Sequence, residues 1–403
     1  MNDFIKKLHA ISFMLIGVSI PISIAATNIF IGLFVVCWIK EGNIREKLEK
    51  IKKTKWMISI LSLLILYSLA MMWGNEHSNA KGTFQILSLF LTFIVFETSK
   101  LNQSTLKWGA LLFLFATFIS AILAILINQE IILPLHNYTS MISPDVTKTV
   151  FIWYTYHNIL LAFSSLLCFF LLAEKKSKHI WLLIIFILIY CLSMFTERGR
   201  AGQLIFFLIF GIYAIYYFKK KIIYSIAIIS FLISCCYISY QYSVVFQKRF
   251  NITMTAVQDE INNVNLPSID KGDKEDARFF FVRKSLEYIK KKPILGYGTG
   301  SFAKTFNMRI NEKHPKLMTT PHNTYLYVLF ETGIFGLIIL LSIFYFQIKS
   351  LYRLEYNFHR VLLPFGLMVI MFFDAYLFSF VVTIFYIYLF TLYNNYKFQE
   401  TSK

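Results

Sequence analysis

Acid is scarce in this chain. Of its 403 residues, 22 are Asp or Glu against 40 Lys or Arg, and both signs together make up only 15%. Soluble domains carry about 25%, so a water-soluble globular protein is excluded. Cysteine is scarce as well. Cys37, Cys168, Cys191, Cys235 and Cys236 all lie in apolar runs, and none has Cys-x-x-Cys spacing. That removes a zinc site and a disulfide framework and leaves small buried hydrophobes. No Asp-x-Asp stands in the segments assigned below to the outer face. No Cys, His and Asp cluster has metal-ligand spacing either, so neither a divalent ion nor another cofactor is implied.

What abounds is apolar surface: 57% hydrophobic residues, with 42 Phe and 24 Tyr. A helix needs about 20 apolar residues to cross the hydrocarbon core. Apolar windows recur at 9–26, 28–39, 56–73, 84–97, 108–128, 151–173, 180–196, 203–218, 222–240, 323–348, 361–379 and 381–395. The sequence therefore predicts an all-α polytopic membrane protein with about 12 transmembrane helices. Lys6 and Lys7 precede the first window as in a signal peptide. No small-residue cleavage site follows, and a second window comes at once, which predicts an uncleaved first helix.

The net charge of +18 raises nucleic acid as a partner, but the cations sit in short clusters between apolar runs. That is the pattern of inward-facing loops beside membrane lipids, not of a nucleic-acid face. With the N-terminus inside, the clusters in 40–55, 175–178, 219–221 and 349–360 all fall on one face, as does the tail with Lys397 and Lys403. One topology fits all of them, and it places 74–83, 129–150, 197–202 and 241–322 outside. The chain then divides into helices 1–9 (1–240), a large outer loop (241–322), and helices 10–12 with a tail (323–403).

The long loop is too long for a connector. Within it, Asp276 to Lys291 reads as an amphipathic helix, with Phe279, Val282, Leu286 and Ile289 on its apolar face. Acids precede it, lysines close it and Pro293 breaks it. Such a helix can lie along a membrane surface.

The candidate chemistry gathers at the outer face. Arg198 and Arg200 sit in Thr-Glu-Arg-Gly-Arg-Ala-Gly-Gln at the junction of two spans, where positive charge is disfavoured. Either they anchor helix ends beside Glu197, or they hold an anion, and Gly199 and Gly202 permit close approach of backbone or ligand. Arg278 opens the amphipathic helix. A helix N-terminus favours phosphate, and the guanidinium fork grips its oxygens; a surface ion pair with Asp276 or Glu275 is the alternative. Arg283, one turn on, is a weaker candidate. His322 follows Pro321 at the lip of the tenth span, where Asn323 and Glu331 could orient its ring or a ligand. An ordinary imidazole, near pKa 6.5, accepts a hydroxyl proton at neutral pH. His157-Asn158 either lines the outer end of its span or caps it, the cap being the plainer reading. Gly296-Tyr297-Gly298-Thr299-Gly300 reads as a tight turn, since a potassium filter needs a pore helix and four copies, and no strand–helix unit encloses it.

These strings resemble the O-antigen ligase family and its relatives, the Wzy-type O-antigen polymerases and pilin O-oligosaccharyltransferases. The resemblance covers the layout of spans and the large loop. It is most specific in Lys-Lys-Pro-Ile-Leu-Gly-Tyr-Gly-Thr-Gly-Ser-Phe (291–302), Pro-His-Asn-Thr-Tyr-Leu-Tyr-Val-Leu-Phe-Glu-Thr-Gly (321–333) and Gly-Arg-Ala-Gly (199–202). It implies a bacterial inner-membrane glycosyltransferase with its site facing the periplasm. Glycan would move, without metal, from undecaprenyl diphosphate to lipid A–core oligosaccharide, or to a second carrier-linked glycan in a polymerase. It further implies Arg200 and Arg278 as diphosphate-binding groups and His322 as catalytic base. A further arginine of the family has no counterpart here. A transporter or flippase of lipid-linked glycan is the non-enzymatic alternative. It predicts charge deep in several spans and paired halves, whereas the predicted spans carry little charge apart from Asp374.

Overall fold

Proline sets the first boundary. In the computed structural model α1 (Asp3–Ser19) stops before Pro21, and α2 (Ile24–Glu41) begins after Ser23, whose hydroxyl accepts the Ala26 amide. The expected span 9–26 ran through this proline, which lacks the N–H a helix interior needs. The structure describes residues 3–74, 77–133, 136–138, 147–173, 180–196, 199–218, 277–307 and 319–397, with isolated positions between 222 and 258. The expected ninth span, 222–240, lies outside the continuously described residues.

The elements continue as α3 (Ile44–Lys53), α4 (Lys55–Ala70), α5 (His77–Ser88), α6 (Leu91–Thr98) and α7 (Gln103–Asn128). A short antiparallel pair follows, β1 (His136–Tyr138) and β2 (Thr147–Thr149), with His136 opposite Thr149. Then come α8 (Tyr154–Leu172), α9 (Ile180–Thr196), α10 (Arg200–Phe218), α11 (Ala277–Ile289), α12 (Phe302–Asn307), α13 (Thr324–Tyr352) and α14 (Asn357–Ile370). A 3₁₀ turn (Tyr376–Phe378) and α15 (Phe380–Asn395) close the described chain. Among the described residues the architecture is thus helical but for one hairpin.

Several helices are apolar enough for a membrane. Five have the length and hydropathy to cross one: Ile24–Glu41, Asn79–Thr98 (counted through the turn at Leu89–Phe90), Gln103–Asn128, Tyr154–Leu172 and Thr324–Tyr352. The pair α3–α4 makes a sixth if its 91° bend lies within one span, and α9, α10, α14 and α15 are apolar but shorter. Twelve full spans are therefore not what the described helices supply.

The shortness has a structural cause. The expected span 361–379 breaks at Ile370, because the start of α13 takes the carbonyls released there. The Thr324 amide donates to Met371 O at 2.9 Å, and Asn323 Nδ2 donates to Phe372 O at 3.2 Å. α15 is buried continuously from Val381 to Tyr393. A helix enclosed by protein need not match the thickness of the lipid. Its Tyr388 hydroxyl lies against Gly17 of α1 and Gly109 of α7, where a Cβ would come within 2.4 and 2.7 Å of it. Small residues let those two helices close on the central one.

The bundle has two chemically different ends. At one, Lys47 pairs with Glu41 at 3.0 Å, both buried, and Glu97 accepts from Asn394 (2.7 Å) and Asn395 (3.1 Å). Arg360 there donates to Tyr393 O, to Glu355 O (2.7 Å) and to Tyr396 O (2.7 Å). This end holds the Lys40–Lys55 cluster. α14 and α15 carry the chain away from it and back, so their junction, with Asp374, lies at the opposite end.

Candidate active site

His322 sits on an unusual backbone. Its φ is +51°, a left-handed conformation between Pro321 and Asn323. Such a residue costs roughly 1–3 kcal/mol unless its surroundings hold it, and histidine adopts it more readily than most. Here the surroundings do hold it. Asn323 caps α13, its Oδ1 accepting the Leu326 amide at 3.0 Å, while its Nδ2 is engaged by Phe372 O. Thr324 Oγ1 donates to Asp374 O at 2.9 Å, and Tyr325 donates to Met368 O at 2.7 Å. The start of α13 is thereby fastened to the α14–α15 junction on both sides of its cap.

That junction delivers a carboxylate. His322 Nδ1 lies 3.1 Å from Asp374 Oδ1, and the two side chains are 33% and 29% exposed. Asp374 Oδ1 also accepts the Ala375 amide at 2.7 Å. An ionised carboxylate only accepts hydrogen bonds. Against it Nδ1 is the donor, so Nε2 carries the lone pair, and a partner of this kind fixes both tautomer and ring orientation. On the other side the Phe281 ring stands 5.9 Å from the imidazole, centroid to centroid. The ring is held by Asp374; the sequence had pointed to Asn323 and Glu331. Asp374 carried one visible signal, a lone carboxylate in an apolar window.

Glu331 has other work. It is fully buried, and its Oε1 accepts the Gly300 amide at 2.9 Å. Around it α13 is interrupted at Gly333 (φ +65°, ψ −163°). The interruption frees carbonyls that the loop 293–301 takes up. Tyr297 N–H donates to Phe330 O (2.9 Å), Gly298 N–H to Glu331 O (2.8 Å), and in return Ile334 N–H donates to Pro293 O (2.9 Å). A Cβ on Gly333 would stand 2.1 Å from Ile294 O. Thr299 ties the same loop to α4, its Oγ1 donating to Tyr67 O at 2.6 Å and its amide to Ala70 O at 3.2 Å. The Gly-Tyr-Gly-Thr-Gly string is thus a clamp between two helices, in keeping with a tight turn.

The clamp follows α11 directly and fixes it. The packed face of α11 is Phe281, Ser285, Tyr288 and Ile289, set against Tyr297, Phe306 and Phe330. The expected face placed Leu286 inward; it is exposed instead. The larger rings of Phe281 and Tyr288 take the aromatic pocket formed with Phe306 and Phe330 and set the rotation of the helix accordingly. Phe281 is what brings α11 to His322. Arg278 lies one turn earlier on the described backbone of α11, and its side chain lies outside the described residues, as does all of Arg198. Arg283 is exposed.

Arg200 is the first residue of α10 and is partly buried. Its flanking glycines serve contact with Asn158. A Cβ on Gly199 would approach Asn158 Nδ2 to 2.5 Å, one on Gly202 would approach the Asn158 backbone to 2.4 Å, and Asn158 Nδ2 donates to Gly199 O at 3.1 Å. Asn158 therefore holds the start of α10 and does not cap α8, which begins at Tyr154; its neighbour His157 pairs with Ser120 Oγ at 2.9 Å. Two residues before Asn158, the Tyr156 ring lies 6.5 Å from that of Tyr376 in the α14–α15 junction. Through the first turn of α8, Arg200 and the His322–Asp374 pair share one end of the bundle.

Residues 185–341 match the family model described as O-antigen ligase. This segment is an O-antigen ligase family domain. It contains Arg198, Arg200, Arg278, Arg283, His322, Asn323 and Glu331, so every sequence-derived candidate lies in it, while Asp374 lies beyond its end. No protein with a curated description matches the chain. Among the described residues no three His, Cys, Asp or Glu side chains group as metal ligands.

Proposed function

We propose that this chain is an inverting, metal-independent glycosyltransferase of the O-antigen ligase type. It takes a glycan from undecaprenyl diphosphate and joins it to lipid A–core oligosaccharide at the periplasmic face of a bacterial inner membrane. The observation that carries the proposal is the pairing of His322 Nδ1 with Asp374. It leaves the lone pair on Nε2 of a part-exposed ring, at the end of the bundle opposite the lysine cluster and within the segment that matches the O-antigen ligase family model.

In this reading an acceptor hydroxyl attacks the anomeric carbon of the donor sugar. The new C–O bond forms as the bond to the diphosphate oxygen breaks, and the hydroxyl proton passes to His322 Nε2. Asp374 stabilises the imidazolium that results. Arg200 and Arg278 hold the diphosphate and stabilise the charge that grows on it; preorganised cations at a developing negative charge are often the largest catalytic contribution. Attack on the face opposite the leaving group inverts the centre. The carrier's lipid tail would lie among the apolar helices.

Lipopolysaccharide from a strain lacking the gene tests the choice of acceptor. A ligase predicts that all long-chain glycan disappears from core while lipid-linked polymer accumulates. A single repeat unit left on core would instead assign the chain to polymerisation, and an unchanged pattern would remove it from this chemistry.

A further inference from the structure

A second surface lies at the other end of the bundle. α3 runs from Ile44 to Lys53 and meets α4 at Thr54 with a 91° bend. If α4 crosses the membrane, α3 lies in its plane. Ile44 and Leu48, one turn apart, are 69% and 51% exposed, and Ile51 continues their stripe inward against the core. Arg45 and Lys52 line one edge of the stripe and are exposed. The helix cannot swing away, because Lys47 is tied to Glu41 and to Trp38 O (2.6 Å), and Lys50 donates to Glu97 O. Its acids are engaged: Glu46 pairs with Lys100 at 2.7 Å, and Glu49 lies within 4.0 Å of Arg45 and 3.8 Å of Lys53. Five cations against two acids leave the helix positive.

We propose that α3 is an in-plane helix that inserts Ile44 and Leu48 between lipids of the lysine-side leaflet and binds anionic headgroups through Arg45 and Lys52. An exposed apolar stripe edged by cations is what an interfacial helix needs, and the charge selects an anionic leaflet over a zwitterionic one.

The full-length protein, depleted of native cysteines and reconstituted in phosphatidylglycerol–phosphatidylcholine vesicles, tests this with spin labels at Leu48→Cys and Glu49→Cys. The Leu48 label should collide with lipid-soluble oxygen and the Glu49 label with a water-soluble nickel chelate. In native mass spectrometry, Arg45→Gln with Lys52→Gln should reduce retained phosphatidylglycerol, about fivefold per charge removed, and leave phosphatidylcholine unchanged. A Leu48 label open to the nickel chelate overturns the proposal. So does one shielded from both reagents, as a protein partner or second copy would shield it, or retention that ignores the charges. None of these readouts involves glycan transfer, so the result stands apart from the catalytic reading.

Discussion

His322 and Asp374, 52 residues apart in the chain, meet through Nδ1 and Oδ1 at 3.1 Å. The contact exists because α14 stops at Ile370 and the start of α13 takes the carbonyls of Met371, Phe372 and Asp374. The proposed base and the carboxylate beside it are thus brought together by one packing event between two apolar helices.

Asp374→Asn keeps the size of the side chain and removes the acceptor-only carboxylate, so the favoured tautomer of His322 is lost. The turnover number should fall by roughly 10²–10⁴-fold with the donor KM little changed, since Asp374 is not assigned to bind donor. Steady-state kinetics on purified protein checks this; a KM effect without a loss of turnover would reassign Asp374 to donor binding.

Gly333→Ala places a methyl on a left-handed residue against Ile294 O. The cost should be at least about 2 kcal/mol, read as a lowered unfolding temperature in detergent. Gly211→Ala, where a Cβ meets nothing within 4 Å, is the matched control and should be neutral or slightly stabilising.

Glu331 separates the clamp from the chemistry. Glu331→Gln keeps an oxygen that can accept the Gly300 amide and should retain most stability and transfer. Glu331→Ala leaves that amide buried without a partner, at about 1–3 kcal/mol, and should lower both. Equal loss in the two variants would point to a direct role for the carboxyl group.

Arg200→Lys keeps the charge and loses the planar fork. Donor KM should rise about tenfold, the equivalent of one weakened charge-assisted hydrogen bond, and Arg200→Ala should raise it further. An unchanged KM for both variants would leave Arg200 as a helix-end anchor.

The sequence revealed the membrane class through composition and span periodicity, and the lysine pattern marked an end that the structure shows to be distinct. It missed the break inside 361–379, because Met371, Phe372 and Phe373 are as apolar as a helix interior and the partners for the Met371 and Phe372 carbonyls lie some fifty residues away. It placed the amphipathic helix within two residues at either end but rotated its face, since spacing alone cannot weigh Tyr288 and Phe281 against Leu286. The glycines of 199–202 and 296–300 stood out, and their purpose became visible only with Asn158 and Glu331 in place. His322 stood out as a candidate from Pro321 and its position at a helix lip; its contact with Asp374 did not, because Asp374 looked like an isolated charge.

The most direct test is transfer by His322→Asn in reconstituted protein, with donor binding measured in parallel. Asparagine tolerates the left-handed backbone but offers no base at that position. Donor binding should stay at the parent level and single-turnover transfer should fall by at least about 10²-fold. Transfer at the parent rate would mean that His322 is not the base.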